Sequence, residues 1–316
     1  MMRLLRPFFL SLLLLSLFAP SVVRAVAIGP TVFDFSADPG QSVDASLTIR
    51  NDEAQPRSYF LQIQKFVPKG EYGQQEFLPL SDTAGLPSWI YLSMPAVTLN
   101  PGQSLNVPFA VRIPQEATPG SYYAALFVSG QAEGSGGGSG TGLTARVGAL
   151  VFLTVQGALT ERVNLVDFQR TSDGVLSHLP VAFALTLRNE GNAHMTPEGS
   201  LEIRNLLGGR VHTVTINEQR GKVLPASSRR LVMEWAKVSP KEGSGFLHEV
   251  REEWSNFGLG MYRAELKLTT RGVTGDAPQL YFWVLPWRLG LLAVLLGLVL
   301  VFGIKGVRKW WVLRKL

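Results

Sequence analysis

The sequence predicts an all-β chain of two tandem sandwiches followed by one C-terminal transmembrane helix, and three observations carry that prediction. Short runs rich in Val, Leu, Phe, Thr and Tyr are cut every eight to twelve residues or so by Pro, Gly, Asn and Asp clusters, the spacing of sandwich strands. LTIRN at 47–51 returns as LTLRN at 185–189, and GSYYAAL at 120–126 returns as GMYRAEL at 260–266, in the same order. An uncharged apolar run at 289–304 is bounded by Trp287 and Arg288 before it and by Lys305, Arg308, Lys309, Trp310 and Trp311 after it.

At the N-terminus, Arg3 and Arg6 precede an apolar stretch at 7–19, and in the sequence Val23, Arg24, Ala25 the first and last offer small residues where a signal peptidase reads. Residues 1–25 are therefore expected to be a signal peptide, with Val26 as the mature terminus. A signal retained as an anchor would instead make the chain span the membrane twice.

Strand-like alternation follows at 44–51, 57–66, 104–113, 122–128 and 146–155, then at 180–189, 200–205, 211–216, 230–235 and 261–269. The repeated blocks fall in equivalent places, and the turn at Asn100, Pro101 and Gly102 is echoed by Leu224, Pro225 and Ala226. This predicts one immunoglobulin-like sandwich at 26–157 and a second at 158–280. The glycine-rich stretch at 130–142 has no Lys-Ser/Thr ending and lies between two strand patterns, so it reads as a flexible connection within the first sandwich. One segment, 246–257, is helical in pattern. Phe246, Val250, Trp254 and Phe257 recur at steps of three to four residues, with Glu249, Glu252 and Glu253 expected on the opposite, solvated face.

The apolar run at 289–304 would rise about 24 Å and 286–307 about 33 Å, at roughly 1.5 Å per residue, against a hydrocarbon core of about 30 Å. The transmembrane helix is placed at 281–307, with Arg288 and Lys305 snorkelling outwards and the tryptophans in the interfacial belts. The basic segment 308–316 is expected on the cytoplasmic side, which puts the sandwiches outside, in agreement with a cleaved signal.

Composition narrows the function. The chain carries 30 Lys+Arg and 24 Asp+Glu, but discounting the three arginines of residues 1–25 and the six basic residues from Arg288 onward leaves 21 positive charges against the same 24 acids. With no concentrated basic face, nucleic acid is excluded as an expected partner, and the basic tail reads as contact with anionic membrane lipid. There is no cysteine, hence no disulfide, thiolate metal site or thiol nucleophile. His178, His194, His212 and His248 show no metal-binding spacing, there is no GxSxG elbow, and the GLG at 258–260 precedes a strand. No catalytic residue, metal or cofactor is assigned.

Aromatic residues remain as contact candidates. Trp89 and Tyr91 flank Ile90, and of the neighbours Tyr122 and Tyr123 one should point inward and the other toward a surface. Exposed Tyr and Trp stack on sugar faces and anchor protein partners. Asn192 and His194, with Asn189, form either a polar binding ridge or a turn.

The blocks PGQS at 39–42, SWI at 88–90, VTLNPGQS at 97–104 and ATPGSYYAALF at 117–127 resemble the extracellular DUF916 domain, the WxL-protein-interacting, peptidoglycan-binding family of surface proteins. The order of signal peptide, this domain, a second β-domain and a C-terminal membrane helix with a basic tail is also similar. The resemblance covers 26–157 and implies a protein of the bacterial plasma membrane that binds cell wall peptidoglycan and holds envelope protein partners. NEGNAH at 189–194 and VLPASSRR at 223–230 depart from the family's companion domain, so no partner-binding role carries over there. The expected function is a membrane-anchored binding or scaffold protein; the alternative is a periplasmic-type chaperone or assembly factor acting by β-strand pairing.

Overall fold

The computed structural model of the chain describes residues 26–130, 146–239, 241–275 and 278–313, with side chains as far as 305. The signal-peptide reading of 1–25, nearly all of the glycine-rich stretch, and the side chains of Arg308, Lys309, Trp310 and Trp311 lie outside the described residues. The fold is all-β, with immunoglobulin-like sandwiches and one C-terminal apolar helix. The described residues form two compact units, one from those up to Phe66 with Leu78–Ala117 and those within Tyr122–Leu153, the other from Val67–Phe77, Thr118–Ser121 and those from Thr154 onward.

The elements up to residue 155 are β1 (Val26–Gly29), β2 (Val32–Ala37), β3 (Ser42–Asn51), β4 (Arg57–Lys69), β5 (Gln74–Phe77), the short helix α1 (Leu86–Trp89), β6 (Ile90–Leu92), β7 (Ala96–Leu99), β8 (Ser104–Arg112), β9 (Gly120–Ser129) and β10 (Arg146–Val155). One sheet has the order β1-β3-β8-β6; the other runs β2-β10-β9-β4-β5, with β7 also paired to β4. Strict alternation explains the first sheet. Leu47 and Ile49 of β3 and Val107, Phe109 and Val111 of β8 point inward and are buried, while Thr48, Arg50, Asn106 and Arg112 lie on the opposite face. Phe33 meets Phe109 edge to face at 5.1 Å across the core.

Next come β11 (Val163–Arg170), β12 (Val181–Asn189), β13 (Gly199–Asn205), β14 (Arg210–Thr215), β15 (Ser228–Trp235), the helix α2 (Phe246–Ser255), β16 (Gly260–Leu268), β17 (Val273–Thr274) and β18 (Leu280–Val284). Their sheets are β15-β12-β11-β17 and β14-β13-β16-β18. Phe183, Leu185, Leu201, Ile203, Trp235, Phe282 and Val284 fill the space between them. Trp235 sits edge to face on Tyr262 at 5.1 Å, and Phe183 on Phe282 at 5.7 Å.

The duplicated sequence blocks occupy duplicated positions. LTIRN ends β3, which pairs with β8; LTLRN ends β12, which pairs with β15. GSYYAAL opens β9 beside β4, and GMYRAEL opens β16 beside β13. The terminal asparagines make the same bonds. Asn51 Nδ2 donates to the carbonyls of Gln55 (2.8 Å) and Leu99 (3.0 Å), and its Oδ1 accepts the Glu53 N–H (2.9 Å). Asn189 Nδ2 donates to Ala193 (2.8 Å) and Val223 (3.0 Å), and its Oδ1 accepts the Gly191 N–H (2.8 Å). Each amide closes the turn after its strand and ties it to a neighbouring segment, satisfying backbone groups that burial would otherwise strand.

After β18 only Leu285 and Pro286 precede α3 (Trp287–Leu313). Its Trp287–Lys305 portion has a mean hydropathy of 2.3 and is long and apolar enough to cross a membrane; none of it is buried in the protein. Pro286 suits this boundary, since its carbonyl accepts the Gly290 N–H (3.0 Å) to open the helical ladder while its missing N–H costs nothing there.

Candidate functional site

The junction of α2 with α3 reverses the expected polarity of 246–257. Glu252 and Glu253 are buried, Glu253 completely, whereas Trp254 is 75% exposed and Phe246 and Phe257 are also exposed. The reason lies in α3, whose first N–H groups have no partner within the helix and carry a partial positive charge. Glu253 supplies both partner and charge. Its Oε2 accepts the Leu289 N–H at 2.8 Å, its Oε1 accepts the Arg288 N–H at 3.4 Å, and Arg288 Nη1 lies 3.1 Å from the same oxygen. Arg288 also approaches Glu249 Oε2 at 3.4 Å and stacks over the Trp287 ring at 4.6 Å. Two carboxylates thus hold the Arg288 side chain against the protein.

Around this clamp, Asn256 locks α2 to its surroundings. Its Oδ1 accepts the N–H groups of Lys237 (3.2 Å) and Val238 (3.0 Å), its carbonyl accepts that of Leu179 (3.1 Å), and its Nδ2 reaches Glu252 at 3.3 Å. The acidic face of α2 is thus the inner face, and the aromatic face is left outside.

The contact candidates scatter. Trp89 and Tyr122 do come together, ring centroids 4.6 Å apart. Tyr123 packs instead with Phe66 and Phe152, so both members of the tyrosine pair are partly buried and neither stands out into solvent. Tyr91 is half-exposed, with the Arg112 guanidinium 4.6 Å above its ring. Asn192 ties neighbouring segments together: its Oδ1 accepts the Thr160 N–H (2.8 Å), and its Nδ2 donates to the carbonyls of Ala158 (3.1 Å) and Pro119 (3.3 Å). The backbone N–H of His194 donates to Ser121 Oγ at 2.8 Å. Among the described residues no group of three or more His, Asp or Glu side chains is placed to hold a metal ion.

One face of the β13–β16 pair carries a charge ladder. Glu202 and Glu265 stand directly opposite each other, as do Arg204 and Arg263, an arrangement of like charges that would repel. Pairing along each strand and diagonally across the two resolves it. Arg204 reaches Glu202 at 2.6 Å and Glu265 at 3.1 Å, Lys267 reaches Glu202 at 2.7 Å, and Arg263 reaches Glu265 at 2.7 Å. Hydrogen bonds from Lys267 and Arg204 hold the Glu202 carboxyl below its ordinary value, and the bond to Glu202 raises Arg204.

Between the terminal strands β14 and β15 lies a groove of about 420 Å³, with Val214, Leu231 and Met233 on its floor and Glu218 and Arg229 among its lining. Burial alone lowers the Arg229 guanidinium, which donates to the Lys222 carbonyl at 2.9 Å. The edge of β15 is partly engaged, since the Arg230 N–H donates to the Glu71 carbonyl at 2.6 Å within the same unit.

No protein-family model and no curated protein matches this chain. Solved structures do. The class 5 fimbriae chaperone CfaA is 10% identical over 83% of this chain and 100% of that one, with a TM-score of 0.39. The E. coli chaperone DraB is 13% identical over 83% and 97%, with a TM-score of 0.36. A Salmonella enterica SafA pilin in complex with the SafB chaperone gives 10% identity over 84% and 98%, with a TM-score of 0.35. These likenesses are confined to architecture.

Sequence reasoning missed the Glu253 clamp because it put Glu249, Glu252 and Glu253 on a solvated face, while leaving the aromatic side of 246–257 either to cap an open sheet edge or to dock near the membrane. The signal that points to it is chemical: an arginine in the first turn of an apolar helix finds its strongest partner in a carboxylate, and the 249–253 segment supplies a cluster of them.

Proposed function

We propose that this chain is a single-pass protein of the bacterial plasma membrane, with both sandwiches outside and the C-terminus cytoplasmic. Its sandwiches act as a non-catalytic binding and scaffold module for cell wall glycan or an envelope protein. The observation that carries the reading is the clamp of Glu253 on the N-terminus of α3, a helix apolar enough to span a bilayer. A fold that buries a carboxylate to seat such a helix presents its second unit at the membrane surface. The resemblance of 26–157 to a peptidoglycan-binding family supports glycan as the ligand class, and the half-exposed Tyr91 beside Arg112 is a contact point suited to it.

Cell fractionation tests the anchor: the full-length protein should stay with membranes through carbonate extraction and leave only with detergent, and release by carbonate would refute it. Sedimentation of the detergent-solubilised protein with isolated cell walls, and crosslinking in intact cells, test the partner. Retention on neither wall nor envelope protein would refute the binding role.

The groove between β14 and β15 favours a second reading, an assembly factor that pairs a strand of its client with an open sheet edge. Capture of strand-deficient subunits, abolished by Val232→Pro on the β15 edge, would distinguish it from wall binding.

A further inference from the structure

The end of the second unit from which α3 departs is apolar. In the β14-β13-β16-β18 sheet, Asn205 pairs with Tyr262 and Gly260 with Val284, so the last residue of β13, the first of β16 and the last of β18 lie nearly level. Exposed large side chains emerge from that level: Leu207 at the β13–β14 turn (93% exposed), Phe257 and Leu259 ahead of β16, and Trp287 after β18. Helix α2 adds Leu247 and Trp254, with Arg251 between them on one stripe at i, i+4 and i+7. Single exposed leucines are ordinary on a protein surface, but a rim of them gathered at one end is not.

What covers this rim follows from the clamp. Glu253 bonds the Leu289 amide, and Trp254 is its chain neighbour. With 3.8 Å between successive Cα atoms and one glutamate side chain to bridge the gap, Trp254 lies within about 13 Å of the residue where the uncharged apolar run begins. If that run enters hydrocarbon, the rim meets the headgroup layer, where Trp rings and the arginine of an amphipathic helix are at home. Two tethers set the level, the two-residue link from β18 and the Glu253 bond, so the outer face of α2 cannot retreat far into water.

We propose that the rim and the outer face of α2 form a lipid-binding collar, seated in the headgroup-acyl boundary of the phospholipid bilayer that α3 enters. Leu247 and Trp254 insert between acyl chains, and Arg251 meets phosphate. The collar rests on the reading that α3 spans the membrane.

The chain contains no cysteine, so a single introduced one can carry an environment-sensitive fluorophore. Leu207→Cys, Leu247→Cys and Trp254→Cys each replace an exposed side chain and leave the core intact. Leu295→Cys reports the span, and Glu218→Cys, exposed beyond the end of β14 at the opposite end of the sheet, reports water. The full-length variants are placed in phosphatidylcholine/phosphatidylglycerol nanodiscs containing nitroxide lipids labelled either at the headgroup or deep in the chain. Labels at 207, 247 and 254 should be quenched by headgroup nitroxide at least about threefold more than the label at 218, and the label at 295 should respond best to the deep nitroxide. A quenched 295 beside unquenched 247 and 254 overturns the collar and leaves the anchor standing; an unquenched 295 overturns both. Labels at 247 and 254 shielded from an aqueous quencher yet untouched by lipid nitroxide would mean that a protein partner or second copy covers the face, and would also overturn it.

Discussion

Glu253 Oε2 and the Leu289 N–H, 36 residues apart in sequence, meet at 2.8 Å where the second sandwich hands over to its apolar helix. Glu253 is fully buried, and its other oxygen is within reach of both the backbone and the guanidinium of Arg288. Removing one partner of a buried charge pair costs about 3–5 kcal/mol. Glu249 still faces Arg288 at 3.4 Å, which moderates the loss. Glu253→Ala should therefore lower the stability of the second sandwich by about 3 kcal/mol and expose the 284–289 junction to proteolysis. Denaturant titration in nanodiscs with limited proteolysis measures both, and an unchanged cleavage pattern would speak against the clamp.

Asn51 and Asn189 offer a matched pair of substitutions. Each alanine variant withdraws the donor from two carbonyls at a buried site, which should cost about 2–3 kcal/mol. The effects should be local: Asn51→Ala should speed amide exchange in β3 and β8, and Asn189→Ala in β12 and β15. Exchange that rises in the same strands for both variants would contradict the duplicated role.

Acid should weaken the β13–β16 pairing through Glu202. Its folded pKa is lowered from 4.5, chiefly by the hydrogen bonds from Lys267 and Arg204. A carboxyl shifted in that direction adds stability that is complete above its unfolded value and is lost as the pH falls through the folded one. Urea midpoints measured from neutral pH downward should show the wild type ahead of Glu202→Gln at pH 7, with the gap closing below about pH 4.5. Curves that stay parallel through that range would exclude the ladder as a source of acid sensitivity.

Alkali probes the first sandwich. Tyr59 is buried, its hydroxyl donates to Asn51 Oδ1 at 2.8 Å, and burial followed by the nearby Glu53 charge raises its pKa above 10.0. A raised folded pKa gives stability that is present below the unfolded value and lost as the pH climbs through the folded one. Tyr59→Phe should cost about 1 kcal/mol at neutral pH and flatten the decline that wild type shows above about pH 10. A Phe variant that declines as steeply as wild type would remove Tyr59 from the account.

Much of this fold is legible in the sequence, because a strand with one buried face must alternate. Leu47, Ile49 and Asn51 announce β3 in that way, and the recurring asparagine announces β12. The candidate contacts are less legible. Tyr122 and Tyr123 look like an inward-outward pair by periodicity, yet Trp89 arrives over one and Phe66 and Phe152 over the other, and no local pattern encodes those arrivals. The α2 segment misleads for a related reason. Its stripe of Phe246, Val250, Trp254 and Phe257 has the period of a core-facing helix, but the face that turns inward is chosen by an unpaired helix terminus and an arginine more than 30 residues downstream. Amphipathic pattern tells which side chains segregate, not which side faces the protein.

The two-residue link between β18 and α3 has a mechanical corollary. With no slack to take up, a load applied between the second sandwich and the helix passes through β18. That strand is held antiparallel to β16 over the whole of Leu280–Val284, so its backbone bonds share the pull together instead of unzipping one after another. Such a joint resists traction well, and it obliges the sandwich to tilt and turn with the helix beneath it.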